Sequence, residues 1–94
     1  MNQFATLLQK GANETRDYCR TSPDAQKFGV DWLKSLAQRM EAASGLDSQE
    51  QVERAIDALA YLICDSGSGT ARIAPSFSQA LDALQRLRKR GARA

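Results

Sequence analysis

Four stretches of the sequence carry apolar residues at helical spacing, and turn-forming residues separate them. In each stretch apolar side chains recur at positions i, i+3, i+4 and i+7, the pattern of a helix with one buried face. Valine and isoleucine together number five, against fifteen alanines and ten leucines, so residues that favour strands are scarce. We therefore expect these 94 residues to form one all-α domain. Its architecture would be a four-helix bundle or a looser orthogonal packing of four helices.

The predicted helices span about residues 2–19, 23–43, 48–64 and 76–90. A loop rich in glycine and serine lies before the last of them, and we interpret it as a connector. Three serines precede apolar stripes and are predicted to cap helices: Ser22 with Pro23 after it, Ser48 and Ser76. The last two are each followed by glutamine three residues later, the spacing of a capping box.

Particular positions within the stripes predict how the helices pack. Gly11 and Gly29 both fall in apolar stripes, which predicts a close crossing of the first two helices at these glycines. Every residue of 58–64 is apolar or aromatic, so that half-helix is expected to be buried on all sides. Leu87 is expected on the buried face of the last helix, and Trp32 in the core.

The composition excludes several chemistries. The chain has no histidine, which removes Ser-His-Asp and Cys-His catalysis and the zinc sites that mix cysteine with histidine. Cys19 and Cys64 are expected to be buried free thiols, although a disulfide between neighbouring helices is possible. Three acids of the third helix, Glu50, Glu53 and Asp57, are interpreted as a solvated face and not as a metal or hydrolytic site. We expect no enzyme activity, no metal and no cofactor.

Asp47-Ser48 resembles the aspartate-serine pair of acyl carrier proteins, which are four-helix domains of similar size. That resemblance implies Ser48 as the attachment site of phosphopantetheine. It covers two residues, and the next residue is Gln49 where the carrier pattern has an aliphatic side chain. The strongly acidic balance of that family is missing as well. Helix capping accounts for Ser48 without this modification.

Charge is distributed unevenly along the chain. Residues 41–65 carry six acids and one base, whereas residues 85–94 carry five bases and no acid. A basic helix end can contact nucleic-acid phosphates, which makes a nucleic-acid accessory protein the alternative function. Its net acidic body, residues 1–84, opposes binding to a polyanion. The candidate phosphate contacts are Arg86, Arg88, Lys89, Arg90 and Arg93.

Three apolar residues, Val30, Ala37 and Tyr61, lie off the predicted stripes and, with residues of the apolar run 58–64, predict a protein–protein interface. The candidate interface residues are Val30, Ala37, Ala58, Tyr61 and Leu62. The favoured function is a small interaction module whose partner is a second copy, as in the common two-fold dimers, or another protein. No stretch has the length of a membrane span, and the first ten residues do not resemble a signal peptide. We therefore expect the protein in the cytoplasm, without a membrane partner.

Overall fold

A computed structural model describes residues 3–65 and 70–92, and it confirms the predicted all-α class. No described residue lies in a strand. Within the described ranges no helix is both long enough and apolar enough to cross a membrane. The helices are α1 (Gln3–Thr21), α2 (Ala25–Phe28), α3 (Val30–Ser44), α4 (Gln49–Asp65), α5 (Thr70–Ile73) and α6 (Pro75–Ala92).

The four long helices α1, α3, α4 and α6 form an up-down-up-down bundle. Helix α1 lies between α3 and α6, and α4 closes the ring by contacting the same two helices. The contacts show that α1 and α3 are antiparallel, because Gly11 lies against Met40 whereas Cys19 lies against Val30. Connections of a few residues join helices in this way when successive helices are neighbours.

The predicted second helix is interrupted at Gly29, which separates α2 from α3. Gly29 has a φ of 94°, a backbone conformation that residues with a Cβ rarely adopt. The backbone still continues its hydrogen bonding, since the Gly29 N–H donates to the Ala25 carbonyl at 3.0 Å. The predicted crossing of Gly11 with Gly29 is therefore wrong. A Cβ on Gly29 would meet only the Trp32 Cβ, at 3.7 Å.

Gly11 instead marks the point where α1 approaches both α3 and α6. A Cβ at this position would lie 3.3 Å from the Met40 Sδ and from the Cβ and backbone nitrogen of Phe77. The fully buried Thr15 hydroxyl donates to the Gly11 carbonyl at 2.8 Å, so its polar atom is satisfied inside the core. We call Gly11, Thr15, Met40 and Phe77 the three-helix junction.

The core follows the predicted stripes along all four helices. Its main cluster includes Phe4, Leu8, Leu36, Met40, Val52, Ile56, Leu59, Phe77, Ala80 and Leu84. A smaller cluster of Ala25, Leu33 and Ile73 lies where α2 and α5 close one end of the bundle. Trp32 is half-buried and packs against both clusters, in agreement with its predicted core role.

Helix α6 receives a carboxylate from α1 at its first turn. Ser76 was expected to precede the helix as its cap, but the helix begins at Pro75. The Ser76 N–H donates to Glu14 Oε1 at 2.8 Å, and the Ser76 hydroxyl donates to Glu14 Oε2 at 2.7 Å. An acidic group at a helix N-terminus satisfies a free N–H and is attracted by the helix dipole. Glu14 thus links α1 to α6 and replaces the predicted serine cap.

Replacing Glu14 with alanine is expected to lower the free energy of unfolding by about 1–2 kcal/mol, because a half-buried N–H and hydroxyl lose their acceptors. Glu14→Gln keeps one acceptor oxygen and should lose less. Urea denaturation measures both, and Asp17→Ala is the matched control because Asp17 is an exposed acid on the same helix. Equal midpoints for Glu14→Ala and Asp17→Ala would contradict this role for Glu14.

Candidate interaction surfaces

The outer face of α4 exposes apolar residues that were predicted to be buried. Tyr61 is 74% exposed, Ala58 is also exposed, and Leu62 is half-buried. The expectation of burial on all sides is therefore wrong at Ala58 and Tyr61, whereas Leu59 is buried as expected. The side chains of residues 63 and 64 lie outside the described part. The reason is geometric: among the described residues α4 packs mainly against α3 and α6. Tyr61 lies mostly in solvent, and Ala58 borders the groove between α4 and α3.

The other two predicted interface residues lie elsewhere. Ala37 is fully buried in the main core, so its assignment to an interface is wrong. Its burial has a simple cause, because α3 is covered by α1 on one side and by α4 on the other. Val30 is exposed, and its carbonyl accepts a weak hydrogen bond from the Cys19 thiol at 3.8 Å. That contact places Val30 beside α1, so it does not belong to the α4 surface.

A shallow groove runs between α3 and α4, next to the exposed face of α4. It consists of two cavities of about 120 and 190 Å³ that share Arg39 and Leu62. Arg39 is exposed and pairs with no carboxylate among the described residues. We call this feature the α3–α4 groove, and its apolar lining is Trp32, Leu36, Ala55, Ala58, Leu59 and Leu62.

The structure divides the predicted phosphate contacts into two groups. Arg88 donates from both terminal nitrogens to the Asp57 carboxylate of α4, at 2.9 and 2.6 Å. Arg86 donates to Asp82 one helical turn away, at 3.2 Å. Lys89 and Arg90 are exposed and form no ion pair with a described residue. Arg93 lies outside the described residues.

The ion pair between Asp57 and Arg88 shifts the pKa of each group in the direction that favours its charged form. The hydrogen bonds from Arg88 hold the pKa of the Asp57 carboxyl below its usual value, and those from Asp57 raise the pKa of Arg88. The acidic stretch and the basic end therefore attract each other within one chain. The Arg88 guanidinium binds the Asp57 carboxylate in a bidentate manner, so it is less available to contact phosphate.

A wider groove opens across the C-terminal half of α6, where α6 passes the first turns of α1 and α4. Its volume is about 610 Å³, and we call it the α6 groove. Leu87 borders it and is 45% exposed, although it was expected to be buried. The packing explains this, because Leu87 lies in an open groove between α6 and the first turns of α1 and α4. The remaining lining is Gln3, Phe4, Gln49, Ala83, Arg86 and Arg90.

The acids and thiols singled out from the sequence do not converge. Glu50 pairs with Arg54, and Glu53 accepts a hydrogen bond from Gln49, so both are engaged along α4 itself. Within the described residues no three metal-ligating side chains form a group. Cys19 is a half-buried free thiol. The side chain of Cys64 lies outside the described part, so the state of that thiol stays a prediction.

Ser48 is exposed and stands directly before α4, which begins at Gln49 as the sequence predicts. Its carbonyl accepts the first helical hydrogen bond, from the Val52 N–H at 3.0 Å. This is the position of a helix cap. Phosphopantetheine attachment at Ser48 is not needed to explain the residue and stays untested.

Both grooves contain residues that the sequence did not identify as functional. Arg39 follows Trp32 and Leu36 at helical spacing, and Ala43 continues the same stripe. A single cation within an apolar stripe was therefore the available signal for the α3–α4 groove. Phe4 was assigned to the core, and nothing in the local sequence indicates that it also forms a groove floor. The α6 groove forms where the first turns of α1 and α4 lie beside the C-terminal half of α6, and local sequence does not indicate that these segments come together.

Comparisons with known proteins assign no family to this chain. No family model matches it, and no curated protein or solved structure matches it significantly. Its functional interpretation therefore depends on the two grooves, the exposed face of α4 and the basic end of α6.

Proposed function

We propose that this protein is a small interaction module that forms a two-fold dimer through the outer face of α4. The exposure of Tyr61 is the observation that carries the proposal, because a tyrosine that is 74% exposed beside an apolar groove leaves much apolar area in water. No catalytic step is part of this proposal. We place the module in the cytoplasm, where free thiols such as Cys19 stay reduced.

A second copy suits this surface because the surface contains both a projecting ring and a recess. Tyr61 projects from α4, and the α3–α4 groove begins at its neighbours Ala58 and Leu62. In a two-fold dimer each tyrosine can enter the groove of the other chain, since the same patch is used twice. Alanine at position 58 is small enough to let two α4 helices approach closely.

Charge supports the same arrangement. Arg39 lines the α3–α4 groove without a described carboxylate partner, and its guanidinium can stack on an incoming tyrosine ring. The exposed side of α4 next to Tyr61 carries Glu50 and Asp57. Glu50 pairs with Arg54 and Asp57 with Arg88 in the same chain, so a second α4 brings only partly neutralised acids near Arg39. This weak attraction is screened at physiological salt.

The dimer is tested by light scattering on the wild type and on Tyr61→Glu. We expect the wild type at about 50 μM to show twice the 10.3 kDa mass of one chain, and Tyr61→Glu to show a single chain. Leu87→Glu is the matched control, because it places the same charge at another exposed apolar residue that does not line the α3–α4 groove. A monomeric wild type would refute the proposal, as would equal dissociation by both substitutions.

The second candidate function is binding of nucleic acid by the basic end of α6. Exposed Lys89 and Arg90, which have no described carboxylate partner, are the observation that favours it. The Asp57–Arg88 pair weighs against nucleic-acid binding, because it engages Arg88, one of the candidate phosphate contacts, with a carboxylate. Engagement of one of the five predicted contacts lowers the affinity expected for a polyanion.

A further inference from the structure

We propose that the α6 groove binds an acidic amphipathic helix of another protein. This groove is distinct from the surface assigned to dimerisation, and the proposal does not depend on the dimer. It rests on a juxtaposition at one end of the bundle: the exposed apolar side chain of Leu87 lies in a groove that two arginines of the same helix border.

The floor of the groove can accept apolar side chains. Phe4 is nearly fully buried at its base, Ala83 is half-buried, and Leu87 is 45% exposed. A cavity of about 610 Å³ that reaches from the first turn of α1 to the first turn of α4 is long enough for more than one side chain. Helices that dock in such grooves present apolar residues at i, i+3, i+4 and i+7.

The rim of the groove selects for negative charge. Arg86 and Arg90 are four residues apart on α6, so both guanidinium groups border the same groove. Arg90 forms no ion pair with a described residue, and Arg86 has only the exposed Asp82 as a partner. On the opposite side Gln49 contributes a polar but uncharged side chain. Glutamates that flank the apolar residues of a bound helix would therefore meet two available cations.

These features fit an acidic helix better than a nucleic acid. A nucleic acid gains little from covering Leu87, whereas an apolar side chain removes that surface from water. A polyanion gains affinity from several phosphate contacts, but Arg88 is bound to Asp57.

The test is fluorescence anisotropy with defined synthetic peptides of about 16 residues, roughly 24 Å when helical. The probe has leucine at helical spacing and glutamate at the other positions, and a scrambled peptide has the same composition without that spacing. We expect the probe to bind at least about tenfold more tightly than the scrambled peptide. Arg86→Glu combined with Arg90→Glu should weaken binding of the probe at least about tenfold, and so should Leu87→Asp.

The matched control is Lys10→Glu combined with Lys34→Glu, which changes net charge by the same amount at two exposed lysines away from the groove. This control and Tyr61→Glu should both bind the probe like the wild type, so failure of the dimer proposal leaves this one standing. Circular dichroism confirms that each variant is folded. Equal binding of probe and scrambled peptide, equal losses in both double variants, or binding of a labelled oligonucleotide in place of the probe would overturn the proposal.

Discussion

Replacing Phe77 with alanine is expected to lower the free energy of unfolding by about 3–5 kcal/mol. Phe77 is fully buried in the main core, together with Leu8, Met40 and Leu84. Removing its ring leaves a cavity among residues that are themselves closely packed, so the neighbouring side chains should fill only part of the vacated volume. A domain of this size is stabilised by about 5–15 kcal/mol in total, so the variant should be close to unfolding.

Urea denaturation at a single protein concentration measures this effect, since self-association would otherwise shift the midpoint. Leu87→Ala is the matched control, because Leu87 lies on the same helix and is 45% exposed. It should change stability by no more than about 1 kcal/mol. If Phe77→Ala and Leu87→Ala unfold at the same urea concentration, the three-helix junction is not the centre of the core.

The helices and most of the core could be predicted because they follow from local spacing. Leu8, Leu36, Ile56 and Leu84 fall at the expected positions of the four stripes, and each is buried. A helix repeats every 3.6 residues, so a few neighbouring residues suffice to identify its apolar face. Local spacing also places Tyr61 off the stripe of α4, but the apolar run 58–64 predicted its burial, and Tyr61 is 74% exposed.

The spacing of apolar residues does not predict how many neighbouring helices each helix has. Ala37 lies off the stripe of α3 and is still buried, because a second helix covers it. Leu87 lies on the stripe of α6 and is 45% exposed, because it lines an open groove between α6 and the first turns of α1 and α4. The break at Gly29 is missed for another reason: a glycine in a helical stripe is compatible with a continuous helix and with a positive φ alike.

The candidate surfaces were harder to predict, since they depend on contacts between distant residues. Glu14 and Ser76 are 62 residues apart in the sequence, and Asp57 and Arg88 are 31 apart. Opposite charges of the two segments predicted an attraction, but not which residues would pair. The α3–α4 groove likewise forms only once α4 packs beside α3. For this reason the sequence identified the arginines of α6 as a basic end, but it did not indicate that the exposed Leu87 lies in a groove beside them.

Substitutions at Gly11 and Gly29 are expected to lower stability for two different physical reasons, although both glycines occupy the same kind of position in an apolar stripe of the sequence. At Gly11 the cost is steric, because an added Cβ would lie 3.3 Å from Met40 and Phe77. Alanine there gains about 1 kcal/mol of helix propensity against that contact, so its net effect should be small. Leucine should overpack the junction and cost about 1–3 kcal/mol or more.

At Gly29 the cost is conformational, because a φ of 94° strains any residue with a Cβ, while the space around it is open. Gly29→Ala and Gly29→Leu should therefore both cost about 1–3 kcal/mol and differ from each other by less than about 1 kcal/mol. Urea denaturation of the four variants gives this comparison, with exposed Lys10→Leu as the control, expected within about 0.5 kcal/mol of the wild type. A cost that rises with side-chain size at Gly11 and stays flat at Gly29 identifies the first as a helix contact and the second as a backbone break. The same dependence on size at both glycines would contradict that distinction.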